Sequence, residues 1–159
     1  MAKSVLASPL ETPTMVTLWN LEGGYMADYF DTVKDYINEL DLKIVREDTG
    51  EELVVIDDEE SGIKNMIVDC EDPVLIIEQA VFPLSAKAKE SPQTLLRILQ
   101  MNRQLVHGAF VVDETGEQVI FRDTLQLASL DLNELESSIN SLSLGLAEFG
   151  SEILEMAQS

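Results

Sequence analysis

The chain has 159 residues, 45% of them hydrophobic, and thirty Asp and Glu against ten Lys and Arg give a formal charge of −20. The apolar fraction excludes a disordered acidic tail, and the length suits one domain with its own core. A charge of that sign and size repels phosphate backbones and anionic headgroups, so no nucleic-acid and no membrane partner is expected, while basic proteins would be attracted.

Cys70 is the only cysteine, which rules out an internal disulfide and points to a reducing compartment. Met1 to Leu10 has one Lys and an apolar run broken by Ser8 and Pro9, which is too weak for a signal peptide. No apolar run is long enough to span a bilayer. The expected location is cytoplasmic.

Residues 1–22 show no clear period and are expected to form an N-terminal arm, with Val16, Leu18, Trp19 and Leu21 too apolar for a pure linker. A single domain, 23–159, is expected to follow. Gly23-Gly24 breaks the chain, and Met26, Phe30, Val33, Ile37 and Leu40 then recur at helical spacing, predicting a helix that ends near Asp41. Four strands are predicted next. Leu42 to Glu47 is the weakest; Leu53 to Ile56, Ile63 to Cys70 and Val74 to Phe82 are rich in β-branched residues. Their apolar residues occupy successive positions, as in central strands covered on both sides. Pro83 to Glu90 reads as a loop.

Ser91-Pro92 starts a second helix, because Ser can cap the free amides and Pro at the first helical position loses no hydrogen bond. Leu95, Leu99 and Asn102 share one line of it, and Leu96 and Arg103 a neighbouring line. Ala109 to Asp113 and Gln118 to Thr124 are predicted strands joined by the tight turn Asp113-Glu114-Thr115-Gly116. A last helix runs from about Asp131 towards Ala157. The predicted fold is therefore α+β, an antiparallel sheet of five to six strands with three helices in the order helix, strands, helix, two strands, helix.

Catalytic readings fail on the residues available. Asp48-Thr49-Gly50 has the triplet of aspartic proteases, but Arg46, Glu47, Glu51 and Glu52 would keep it wet, and the triplet is also ordinary hairpin chemistry. Asp57 to Glu60 lacks the spacing of a calcium loop. One His and one Cys cannot build a zinc site from those two residue types. His107 reads as structural, and the carboxylates near Cys70 argue against a reactive thiolate. Asn102-Arg103 reads either as an exposed edge with Arg103 paired to a nearby carboxylate or, preferred because Leu95 and Leu99 share its line, as a junction with Asn102 in a buried hydrogen-bond network that sets helix against sheet. No enzyme activity, cofactor or metal is expected.

Leu135, Ile139, Leu142, Leu146, Phe149, Ile153 and Met156 form one apolar stripe on the last helix. Coiled-coil pairing of two such helices is disfavoured, because no Lys or Arg follows Arg122 to balance Glu136 and Glu152. Gly145 and Gly150 suit close packing on a sheet instead. Three helices would cover one face of the sheet, and the other must meet the arm, a second copy or a client. A symmetric homodimer is the simplest answer.

The stretches Ile63 to Cys70, Leu95 to Arg103, Gly108 to Asp113 and Leu130 to Leu135 resemble the YbjN-like family of small bacterial proteins. The resemblance implies a fold similar to type III secretion chaperones, including the chaperone of the effector Tir: acidic, non-catalytic α+β homodimers that hold an extended partner segment on apolar patches. By position it implies a dimer or partner surface carrying Leu95, Leu99, Asn102, Arg103, Phe110, Val112 and Phe121. The expected function is a chaperone-like, non-catalytic protein-binding module with an acidic rim, binding itself and a protein client of basic character. The alternative is a regulatory or sensory module that reads one dedicated protein or small ligand.

Overall fold

A computed structural model describes residues 28–158, so the expected arm lies outside the described residues. Asp28 caps the first helix, α1 (Tyr29–Glu39), by accepting the Asp31 amide at 3.0 Å. Phe30, Val33 and Ile37 are its buried stripe. The helix stops where Asp41 turns left-handed at φ 57°, a conformation Asp tolerates better than most residues.

Four strands follow in a meander: β1 (Lys43–Asp48), β2 (Leu53–Asp58), β3 (Ile63–Glu71) and β4 (Val74–Pro83). A single helical turn, α2 (Ala86–Lys89), leads into α3 (Pro92–Met101). The hairpin β5 (Ala109–Val112) and β6 (Gln118–Gln126) comes next, then a short 3-10 turn and α4 (Leu132–Gln158). The six strands form one antiparallel sheet in the order β1-β2-β3-β4-β6-β5. The hairpin adds to β4 through β6, which leaves β1 and β5 as the edges.

The predicted elements stand, with one correction. The expected loop Pro83 to Glu90 contains α2, whose cap Ser85 accepts the Ala88 amide at 3.0 Å. A one-turn helix is too short to show a period. Ser91 caps α3 in the same way, with its hydroxyl 3.2 Å from the Thr94 amide and Pro92 in the first turn.

Strand periodicity divides the sheet into two unlike faces. Val54, Ile56, Met66, Val68, Leu75, Ile77, Val119, Phe121 and Leu125 are buried and join the helices in one core. Their alternates Leu53, Ile67, Ile76, Ile120 and Val111 remain half-buried. The strands are therefore apolar on both sides, as predicted, but among the described residues helices cover one side only. Gln79 is the buried polar member of the covered face, and its amide holds the start of β3 by donating to the Gly62 carbonyl at 3.1 Å and accepting the Lys64 amide at 3.0 Å.

The stripe on α4 is core. Leu135, Ile139, Leu142, Phe149 and Ile153 are buried, and Leu146 and Met156 pack against them half-buried. Its two glycines differ. A methyl at Gly145 would lie 2.7 Å from Leu105 Cδ2 and 3.5 Å from the Phe110 ring, whereas one at Gly150 would meet nothing within 4 Å. Gly150→Ala should therefore stabilise the domain by up to about 1 kcal/mol through helix propensity. Gly145→Ala should gain less or lose stability, because Leu105 has to move. Urea unfolding of the two variants side by side checks this. Phe149→Asp, which places an unpaired carboxylate in the core, should abolish the cooperative transition.

Candidate protein-binding surfaces

The described residues leave two surfaces without a covering element, one beside α3 and one on the open side of the sheet. The first depends on how the chain leaves α3. Asn102 ends that helix, and its side-chain amide grips one residue of β5 by both polar groups: Nδ2 donates to the Phe110 carbonyl at 3.2 Å, and Oδ1 accepts the Phe110 amide at 2.7 Å. Ser141 on α4 repeats the device on the intervening loop, its hydroxyl accepting the His107 amide at 3.0 Å and donating to the His107 carbonyl at 2.7 Å. Gly108 lies between the two grips at φ 66°, and a methyl there would press within 2.5 Å of the Phe121 ring and 2.9 Å of the Arg122 carbonyl. Only glycine fits that backbone and that gap. Arg97 ties α3 to the end of α4 through a two-pronged bond to Glu152, both contacts at 2.7 Å, over the Phe149 ring.

Between α3 and β5 these restraints leave a groove of about 410 Å³. Leu95, Leu99, Asn102, Phe110 and Val112 line it, so five of the seven expected surface residues meet in one place. Leu99 is 65% exposed and Val112 45%. Phe110 is buried with its ring towards Gly145, and only its edge reaches the groove. Arg103 lies outside, with Arg97, Gln100 and Gln104 around a neighbouring depression, and it makes no salt bridge among the described residues.

Phe121 is a correction. It is fully buried against Gly108 on the covered face, and in β6 that parity places Ile120 and Arg122, not Phe121, on the uncovered one. Ile98 and Val111 complete the groove, and Leu96 and Val106 are exposed near it, at 56% and 75%. Val106 was invisible to periodicity because it lies in a loop. Another signal was available: from Ser91 to Val112 the chain has no Asp or Glu.

The second surface is the open face of the sheet. Leu53, Ile67, Ile76 and Ile120 supply its half-buried apolar area, Val55 on the same side is buried, and a salt bridge between Glu78 and Arg122 crosses its middle. A depression of about 470 Å³ lies at its β1 side, over Val45, Arg46, Val55, Asn65 and Ile67. Carboxylates border the end where β2 begins and β3 ends. Burial pushes the Asp69 carboxyl above its ordinary range, and Glu71 and Glu51 push it further.

The other candidate groups are engaged locally. Asp48 accepts the Gly50 and Glu51 amides at 3.0 and 3.2 Å, which is the hairpin use of the Asp-Thr-Gly triplet. Asp57 accepts the Asn65 amide, and Asp58 the Glu60 amide and the Ser61 hydroxyl. Cys70 is buried, and burial first, with Glu52, Asp69 and Asp28 nearby, pushes its thiol up to about 12. Among the described residues no three His, Cys, Asp or Glu side chains gather as a metal site, and no helix is long and apolar enough to cross a membrane.

The sequence pattern of the CesT_Tir_1 family matches residues 26–159. The chain belongs to that family. Its fold is shared with YbjN from E. coli, a candidate transcription regulator, at 11% identity and a TM-score of 0.54, over 77% of this chain and 92% of that one. It is shared with a chain of the HopA1-SchA chaperone-effector complex at 14% identity and 0.53, over 82% and 94%. It is also shared with a chain of the Yersinia pestis type III secretion chaperone SycH in complex with a YscM2 fragment, at 13% identity and 0.50, over 80% and 98%. No curated protein matches the chain. The family match and the shared fold are in line with the resemblance read from the sequence.

The grip of Asn102 has a measurable worth. Asn102→Ala removes two hydrogen bonds and should cost about 1–3 kcal/mol in urea unfolding. It also bares the outward amide and carbonyl of Phe110, so light scattering should report more self-association. Asn102→Asp should be no better, since a carboxylate cannot donate to the Phe110 carbonyl.

Proposed function

We propose that this protein is a homodimeric, non-catalytic chaperone-like module that holds an extended segment of a protein client on the open face of its sheet. The observation that carries the reading is the presence of two separate apolar surfaces of opposite electrostatic character. The α3–β5 groove lies in the one long stretch of chain without a carboxylate, so two copies with a charge of −20 each can meet there without repulsion. The open face is bordered by carboxylates and suits a client whose apolar residues are flanked by Lys or Arg. Family membership and the likeness to chains of two chaperone complexes support this reading.

The groove explains why the dimer needs side chains rather than strand pairing. Leu95, Leu99 and Val112 present area that a second copy can bury, and the Asn102 grip occupies the edge groups of Phe110. The resulting contact would be isologous, with α3 crossing its own copy. The client surface would remain free on the opposite side of each sheet.

Light scattering after size exclusion should give twice 17.7 kDa at micromolar concentration. Leu99→Asp should give a folded monomer, because Leu99 is largely exposed in one chain and its loss costs the fold little. A wild-type monomer would remove the dimer from this reading. Client holding is tested separately, by suppression of aggregation of a basic unfolded protein. That suppression should weaken as salt rises through the range where the Debye length falls below about 8 Å. No suppression at any salt would leave only a dedicated-partner module.

A further inference from the structure

The two ends of the α3 surface carry opposite charge, and that decides how a second copy can lie on it. We infer that two copies meet with their α3 helices antiparallel, so that Arg103 of each chain pairs with Glu114 on the β5–β6 turn of the other. The inference rests on the homodimer reading and adds its orientation and its polar contacts. Three observations carry it.

The first is position. The β5–β6 turn lies beside the start of α3. Lys89 donates to the Glu117 carboxylate at 2.7 Å, and the Leu84 amide to the Glu117 carbonyl at 2.8 Å, just before Ser91 caps the helix. The other end of α3 is fixed by the grip of Asn102 on Phe110. β5 therefore runs back along α3, with the turn at one end of the groove and Arg103 at the other.

The second is charge. Residues 91–112 hold Arg97 and Arg103 and no carboxylate, whereas Asp113 to Glu117 hold three carboxylates and no Lys or Arg. Most of these groups are already matched. Arg97 is bonded to Glu152 and Glu117 to Lys89. Asp113 accepts the Gln118 amide, the Thr115 hydroxyl and the Glu117 amide, which hold its carboxyl below the ordinary range. Arg103 and Glu114 are exposed and have no ion pair or side-chain hydrogen bond among the described residues. The third is room. Arg103 borders a depression of about 410 Å³ whose other lining side chains, Arg97, Gln100 and Gln104, all carry hydrogen-bond donors and no carboxylate.

A two-fold contact along α3 can run the helices parallel or antiparallel. The parallel arrangement sets Arg103 against Arg103 and Glu114 against Glu114, which gives two repulsions. The antiparallel one sets each arginine at the partner's turn, which gives two attractions. Leu96 and Leu99, both more than half exposed, lie between the two ends and supply the apolar centre.

Sedimentation of Arg103→Glu and of Glu114→Arg, each folded by circular dichroism, should show dimers about tenfold weaker than the wild type, because two exposed attractions become repulsions. An equimolar mixture of the two variants should return to the wild-type affinity, since the mixed dimer has opposite charges at both contacts. Weakening without rescue in the mixture would overturn the inference, and so would two variants that dimerise like the wild type. A disulfide forming readily between two Arg103→Cys chains would overturn it too, because the bond needs α-carbons within about 7 Å and so sets like ends side by side. A wild-type monomer would take away the homodimer reading and this inference with it, whereas a wild-type dimer without rescue removes the inference alone.

Discussion

The described helices all lie on one side of the sheet, and that constraint shapes the rest of the described residues. Six strands present two apolar faces, and α1, α3 and α4 converge on the face carrying Val54, Val68, Ile77 and Phe121. The helical stripes are used up there: on α4 five of the large residues are buried against the core and two pack at its margin. Nothing among the described residues is left to cover Ile67, Ile76 and Ile120. Leaving such side chains half wet forgoes about 25 cal/mol for each Å² of apolar area. A fold that keeps the area open has it available for another polypeptide.

Charge placement then separates the roles of the two surfaces. Thirty carboxylates spread over most of the chain would make self-association costly almost anywhere. The acid-free stretch from Ser91 to Val112 spans α3, the loop after it and β5, and it is also where Leu96, Leu99, Val106 and Val112 are exposed. Apolar exposure and the absence of repulsion coincide there. On the open face they do not: the Asp69 carboxyl there is raised first by burial and then by the neighbouring Glu71 and Glu51.

The elements were legible in the sequence because each has a local signature. Ser91-Pro92 marks a helix start, Asp113 to Gly116 a hairpin, and the stripe from Leu135 to Met156 a core helix. Two features were not legible, for reasons of range. The one-turn α2 is shorter than any period. The burial of Phe121 depends on strand parity combined with a gap at Gly108, a contact between positions thirteen residues apart that no local pattern encodes. The site was half legible. The line Leu95, Leu99, Asn102 could be read from helical spacing, and the double grip on Phe110 is the network that an Asn among leucines implied. The loop residue Val106 had no period to reveal it.

The sheet edges limit how either surface can be used. At β5 the strand is four residues long, and Asn102 occupies the outward amide and carbonyl of Phe110. At β1 the register shifts between Ile44 and Arg46, and Lys43, Arg46, Glu47 and Asp48 are exposed along the strand. Bulges, charges and side-chain caps are the ordinary means of keeping an edge from templating another strand. With both edges blunted, continuing the sheet into a partner is the less favourable route. Under the proposed function, recognition would then rest on side chains meeting the faces: Leu99 and Val112 in the groove, Ile67 and Ile76 on the open side. Side-chain recognition of that kind depends on apolar pattern and flanking charge rather than on main-chain pairing, so it tolerates many sequences but not many charge distributions.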